Sequence, residues 1–126
     1  MDDIRIEDTA GKITIKCEVA VPCEWISDLL STAFETGSSW IDGKVEAVRP
    51  TGDYMFPEDE LAWENRVLKI RADGKTHTLT RTRYLRGLEK FCNTRNETLD
   101  NVYDMHGAGT ADLILQYALF GEEVYS

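Results

Sequence analysis

No apolar run in this chain approaches the roughly 18 residues that cross a bilayer, so no membrane-spanning helix is expected. Its three cysteines, Cys17, Cys23 and Cys92, form no CxxC pair and are odd in number. That argues against a zinc ribbon or a disulfide framework, and each reads as a small buried hydrophobe. The two histidines, His77 and His106, lie far apart with no cysteine or carboxylate at ligand spacing, so no metal site is expected. Also missing are a P-loop, a GxSxG elbow, HExxH, and a GxGxxG after a strand. No nucleophile is paired with a base at a legible spacing, so the chain reads as non-enzymatic and free of cofactors. The opening MDDIRIED has neither the basic nor the apolar region of a signal peptide, which makes the cytosol the expected compartment.

What is present fits one domain over residues 1–126, large enough to bury a core. The net charge of −9 is divided unevenly. Residues 66–95 hold nine bases and two acids, a net +7, whereas residues 1–65 carry −10 and residues 96–126 carry −6. A coat for duplex DNA needs a positive field over a whole face, which argues against general duplex binding. A confined basic strip suits a small phosphorylated ligand, and the acidic remainder suits docking on a basic protein surface. In the plainer alternative the strip pairs with the chain's own acids, inside the fold or across a dimer.

Apolar residues alternate from Ile4 to Val21 around Gly11, which reads as a β-hairpin with Ile6 facing Ile15 and Ile4 facing Cys17. Pro22 then opens an amphipathic helix through Trp25, Ile26, Leu29, Leu30, Ala33 and Phe34, stopped at Gly37. A short strand near Lys44 to Arg49 leads into a long loop, PTGDYMFPEDELAWEN, pinned by its own aromatics. In that loop Glu58, Asp59 and Glu60 read as a solvated acidic run. Asp73 and Gly74 mark a second hairpin, with Leu68 opposite Leu79 and Ile70 opposite His77 on the core side. Thr82 is the expected cap of the helix RYLRGLEKFCN, with Gly87 weakening its middle. A turn near Leu99 to Tyr103 precedes a final helix capped by Thr110. The fold class is therefore α+β, in the order β-β-α-β-β-β-α-α, an antiparallel sheet with helices packed on one face.

The candidate ligand residues follow from this layout. Lys69, Arg71, Thr76 and Thr78 share one strand face and Arg83 and Arg86 follow on the next helix, offering charged forks and hydroxyls to phosphate and ribose. Gly107, Gly109 and Thr110 form a glycine-containing approach to a helix start, a second place for an anion. Trp40, Tyr54 and Trp63 are the candidates for stacking on an aromatic ligand.

The tail ADLILQYALFGEEVYS resembles the C-terminal signature of a widespread group of small phage- and prophage-encoded proteins, which end in strings such as QYALFGEIVYG. The turn AFETGSSW and the segment GKTHTLTRTRYLRGLEK are similar to the same group. The chain departs from it at Ser126, where glycine is usual, and at Glu123, where an aliphatic residue is common. The resemblance implies a product made in the cytoplasm of an infected bacterium, where many such proteins neutralise host components. Some acidic phage proteins of this size inhibit CRISPR effectors, and others soak up cyclic nucleotide signals. The expected function is thus a counter-defence binder of a small phosphorylated host signal. The alternatives are an inhibitor docking its acidic surface on a nucleic-acid-binding defence protein, and a structural or regulatory phage protein. The almost wholly apolar tail helix further implies burial in the domain or in a homodimer or larger homo-oligomer.

Overall fold

The computed structural model describes the backbone of Arg5–Thr9 and Lys12–Lys16 and all of residues 18–126. Strands β1 (Arg5–Thr9) and β2 (Lys12–Lys16) form an antiparallel hairpin in which Ile6 pairs with Ile15, as the alternation implies. The pairing of Ile4 with Cys17 and the faces taken by these side chains lie outside the described residues. Helix α1 (Cys23–Thr32) continues through a π turn at Ala33–Gly37. After it come β3 (Glu46–Ala47), α2 (Pro57–Glu64), β4 (Leu68–Ala72), β5 (Lys75–Leu79), α3 (Arg81–Arg95), α4 (Leu99–Met105) and α5 (Ala108–Phe120). The fold is α+β with antiparallel pairing. Its described strands fall into two sheets, β1-β2 and β3-β4-β5, so the first hairpin does not extend the second.

The turn at Asp73 and Gly74 sets the register of β4 and β5 by itself. Leu68 pairs with Leu79 and Ile70 with His77, and burial alternates along β4 with Leu68, Ile70 and Ala72 inside. α2 and α5 pack against the sheet, and α1 packs on both of those helices. Leu29, Leu30, Leu61, Leu68, Leu79 and Leu115 are fully buried there, each contributing roughly 1.5–3 kcal/mol. His77 takes a half-buried place with its ring edge-on to Phe120, centroids 5.0 Å apart. Ile114, Leu115, Ala118 and Leu119 of α5 are buried within the same chain, so the apolar tail is covered without a second copy. None of the helices among the described residues is long and apolar enough to cross a membrane.

Four local expectations are corrected. The loop of residues 50–65 contains α2, which starts with proline in its first turn and carries Glu58, Asp59 and Glu60 where the helix dipole favours negative charge. Its eight residues are too short for a visible apolar period. The turn near Leu99 is helix α4, capped by the Thr98 hydroxyl, which accepts from the Asn101 N–H at 3.2 Å. α3 is capped by Thr80, which accepts from the Arg83 N–H at 3.1 Å, and not by Thr82. α5 begins at Ala108 with Gly107 at the cap position, and Thr110 lies in its first turn.

Candidate functional site

The C-terminal tail, the AFETGSSW turn and the segment GKTHTLTRTRYLRGLEK meet around α5, where they form a clasp. Gln116 is fully buried, and its Oε1 accepts the N–H groups of Val124 and Tyr125, both at 2.8 Å. Its Nε2 donates to Asp112 Oδ2 at 2.8 Å and to the Tyr125 carbonyl at 3.0 Å, folding the last residues back along the helix after the turn at Gly121. Asp112 Oδ1 also accepts from the Ser38 hydroxyl at 2.7 Å and from Trp40 Nε1 at 2.6 Å. A Cβ on Gly37 would collide with the Ala108 carbonyl, so the GSSW turn reaches α5 only with glycine there. Tyr125 stacks on Trp40, centroids 5.1 Å apart, and its hydroxyl donates to Asp73 at 2.5 Å. The third segment contributes Arg83, which donates to the Thr78 carbonyl at 2.6 Å and the Leu119 carbonyl at 2.9 Å. Its Lys90 donates to the Gly121 carbonyl and lies over the Tyr117 ring. These residues hold the chain end in place, and ligand chemistry must be sought elsewhere on the surface.

This arrangement sorts the residues picked from sequence. Trp40 is committed to the clasp and Arg83 to two carbonyls, while Arg86 is exposed on α3 one turn further along. Lys69, Arg71, Thr76 and Thr78 come together as the sequence implies. All four are exposed, and the register sets Lys69 beside Thr78 and Arg71 beside Thr76 on the face of the sheet away from the core. On the other side of β4, Lys69 pairs with Glu46 of β3.

Glu46 is also a wall of an open groove of about 300 Å³, lined by Lys44, Tyr54, Met55, Phe56, Pro57 and Glu60 among others. The cationic row therefore lies one strand away from this groove, with Glu46 between them. Met55 is 87% exposed and Phe56 50%, as is Trp63 further along α2. Tyr54 donates from its hydroxyl to Glu64 at 3.0 Å, which raises its pKa. Met55 and Phe56 read in the sequence as pins for the loop, and the structure turns them toward water.

The acidic run expected to be solvated is instead mostly buried, Glu58 being 5% and Glu60 2% exposed. Glu60 ties the groove loop to α2. Its carboxylate accepts from the Thr51 N–H at 3.0 and 3.1 Å, the Thr51 hydroxyl at 2.8 Å and the Gly52 N–H at 3.3 Å. Burial pushes its pKa up, but these donors and the nearby Arg66 outweigh that and hold it below the ordinary value.

The glycine-containing approach to α5 lies apart from this face. Gly107 and Gly109 are exposed, and Thr110 lines a separate concavity of about 360 Å³ with Phe91, Arg95, Glu97, Asn101, Val102 and Met105. Cys23 and Cys92 are free, and burial, with Glu97 adding, raises the Cys92 thiol pKa. Among the described residues no group of three or more histidine, cysteine or acidic side chains is placed to hold a metal ion. Compared with models of protein families, with curated proteins and with solved structures, the chain matches none.

Proposed function

We propose that this protein is a non-enzymatic binder of a small phosphorylated ligand carrying an aromatic base, of the cyclic nucleotide type. The observation that supports this reading is the Glu46–Lys69 pairing, by which a row of cations and hydroxyls lies one strand away from an aromatic groove. A base has Phe56, Tyr54 and Met55 to lie against, while its phosphates extend toward Lys69 and Arg71, with Thr76 and Thr78 offering hydroxyls. A volume of about 300 Å³ is at the lower bound for small-molecule sites and suits a single base. The resemblance to phage proteins gives such a binder a purpose, the removal of a host immune signal inside an infected bacterium.

Calorimetric titration with cyclic mono- and dinucleotides tests this. Binding is expected to weaken at least tenfold in the double variant Lys69→Ala, Arg71→Ala, since each charge-assisted hydrogen bond is worth about 1.5–3 kcal/mol. No heat from any of these nucleotides at sub-millimolar concentration overturns the reading.

A second reading rests on the face shared by α1 and α4. There Trp25 stacks on Tyr103 with centroids 4.5 Å apart, and the Tyr103 hydroxyl donates to Asp28. That bond, burial and the charges of Asp28, Glu24 and Asp104 push the Tyr103 pKa up to about 12. An aromatic pair among carboxylates suits a basic protein surface, as an inhibitor of a nucleic-acid-binding defence protein requires. Capture of such a protein that weakens steeply as salt rises, and that Asp28→Asn with Asp104→Asn abolishes, favours this reading over the first.

A further inference from the structure

Glu58 is the second residue of α2, and the hydrogen bond received by its buried carboxyl comes from its own backbone N–H. The charges that act on it are carboxylates. Glu35 reaches it from the π turn after α1, and Asp59 sits beside it, held by the Ser27 hydroxyl at 2.5 Å. α2 packs against α1, β3 and β4. α1 brings only the acids Glu24 and Asp28, and the charged residues of the two strands, Glu46, Lys69 and Arg71, sit on the exposed face of the sheet. From these elements, then, no cation meets the buried carboxyl.

At this first-turn position the dipole of α2 favours the ionised form, but burial beside two carboxylates outweighs it, and the neutral acid is favoured. Burial lifts the Glu58 pKa to about 7, its own amide opposing the shift and Asp59 and Glu35 adding to it. The position matters because Phe56 and Pro57, which wall the groove, lead directly into Glu58.

We propose that Glu58 is a proton-operated catch on the groove. Neutral, it keeps the first turn of α2 seated against α1. Ionised, it moves out to water and takes Phe56 and Pro57 with it. The consequence for ligand capture rests on the binding function proposed above, whereas the motion does not. In the seated form the carboxyl binds its proton more tightly than in the lifted form, where it has the ordinary value near 4.5. Lifting therefore becomes easier as pH rises from about 5 to about 7 and is level above that.

Chymotrypsin acting on the ligand-free chain at pH 5 to 8 reads the motion as cleavage after Tyr54, the Phe56–Pro57 bond being resistant because proline follows it, with rates corrected by a small peptide substrate at each pH. Cleavage is expected to rise at least about tenfold between pH 5 and 7 and then level off, and Glu58→Gln is expected to stay slow throughout. A flat profile in the native chain, or the same rise in Glu58→Gln, overturns the proposal. If Glu58→Gln does not fold, Glu35→Gln serves instead. Removing that charge should bring the plateau to lower pH, and an unmoved plateau counts against the catch. Nucleotide titration at pH 5.5, with the catch closed, tests the binding function separately. Absence of binding there removes the ligand and leaves the catch standing.

Discussion

Replacing Gly87 with alanine is expected to destabilise the protein by about 2–3 kcal/mol, although alanine is the better helix former. In an isolated helix the exchange gains about 1 kcal/mol. Here an alanine Cβ would lie 2.5 Å from the backbone nitrogen of Ala118, 2.6 Å from its Cα and 2.7 Å from its Cβ. Two of those three atoms are backbone, so relief requires α5 to move away from α3. That separation disturbs the packing of Leu88, Phe91, Leu115 and Leu119, all buried in the same core. Overpacking of this kind costs typically 1–3 kcal/mol and sometimes more, enough to reverse the gain in propensity. Thermal denaturation followed by circular dichroism should show a fall in Tm of about 5–15 °C. Adding Ala118→Gly should restore only part of it, because the backbone contacts remain. A higher Tm in the single variant would mean that α3 and α5 do not approach this closely.

Exchanging Gln116 for leucine is expected to cost about 2–4 kcal/mol with little change in volume. The amide makes four hydrogen bonds, to the Val124 and Tyr125 N–H groups, the Tyr125 carbonyl and Asp112. Leucine leaves these partners without it, and each buried polar group so orphaned costs about 1–3 kcal/mol unless water reaches it. The last residues are the part most able to reach water, which keeps the total below the sum of the four. Their release would separate Tyr125 from Trp40 and from Asp73. Carboxypeptidase digestion and the fluorescence of Trp40 should therefore change together with stability. Gln116→Glu is expected to do no better, since it loses both amide donors and places a second carboxylate against Asp112. Stability lost with the tail still protected would show that the amide serves the core alone.

Gly87 illustrates what a single sequence conceals. Read along α3 it only weakens a helix, because its partner Ala118 is 31 residues away and nothing local announces the contact. Gln116 is likewise one polar residue in an apolar run until the chain turns at Gly121. The β4–β5 hairpin is the opposite case. Asp73 and Gly74 set its register, and strict alternation then puts Lys69 and Arg71 on one face, so half of the candidate site could be read directly. The other half could not. Met55 and Phe56 line a groove whose loop is tied to α2 by Glu60, through bonds to Thr51 and Gly52 and a helix too short to show a period.

The sequence by itself determined the fold class, the first helix, the register of both hairpins and the membership of the cationic row. Each depends on side chains two to four residues apart, or on one turn, where local backbone geometry dictates which residues share a face. Only the tertiary structure decided that this row lies one strand away from a groove, that Glu58 is buried among carboxylates, and that the C-terminal tail is a clasp. Those features bring together residues from 23 positions apart, as in Glu46 and Lys69, to 85, as in Trp40 and Tyr125, or depend on which side of a short helix is covered. Burial and hydrogen bonding at that range exist only once the core has closed.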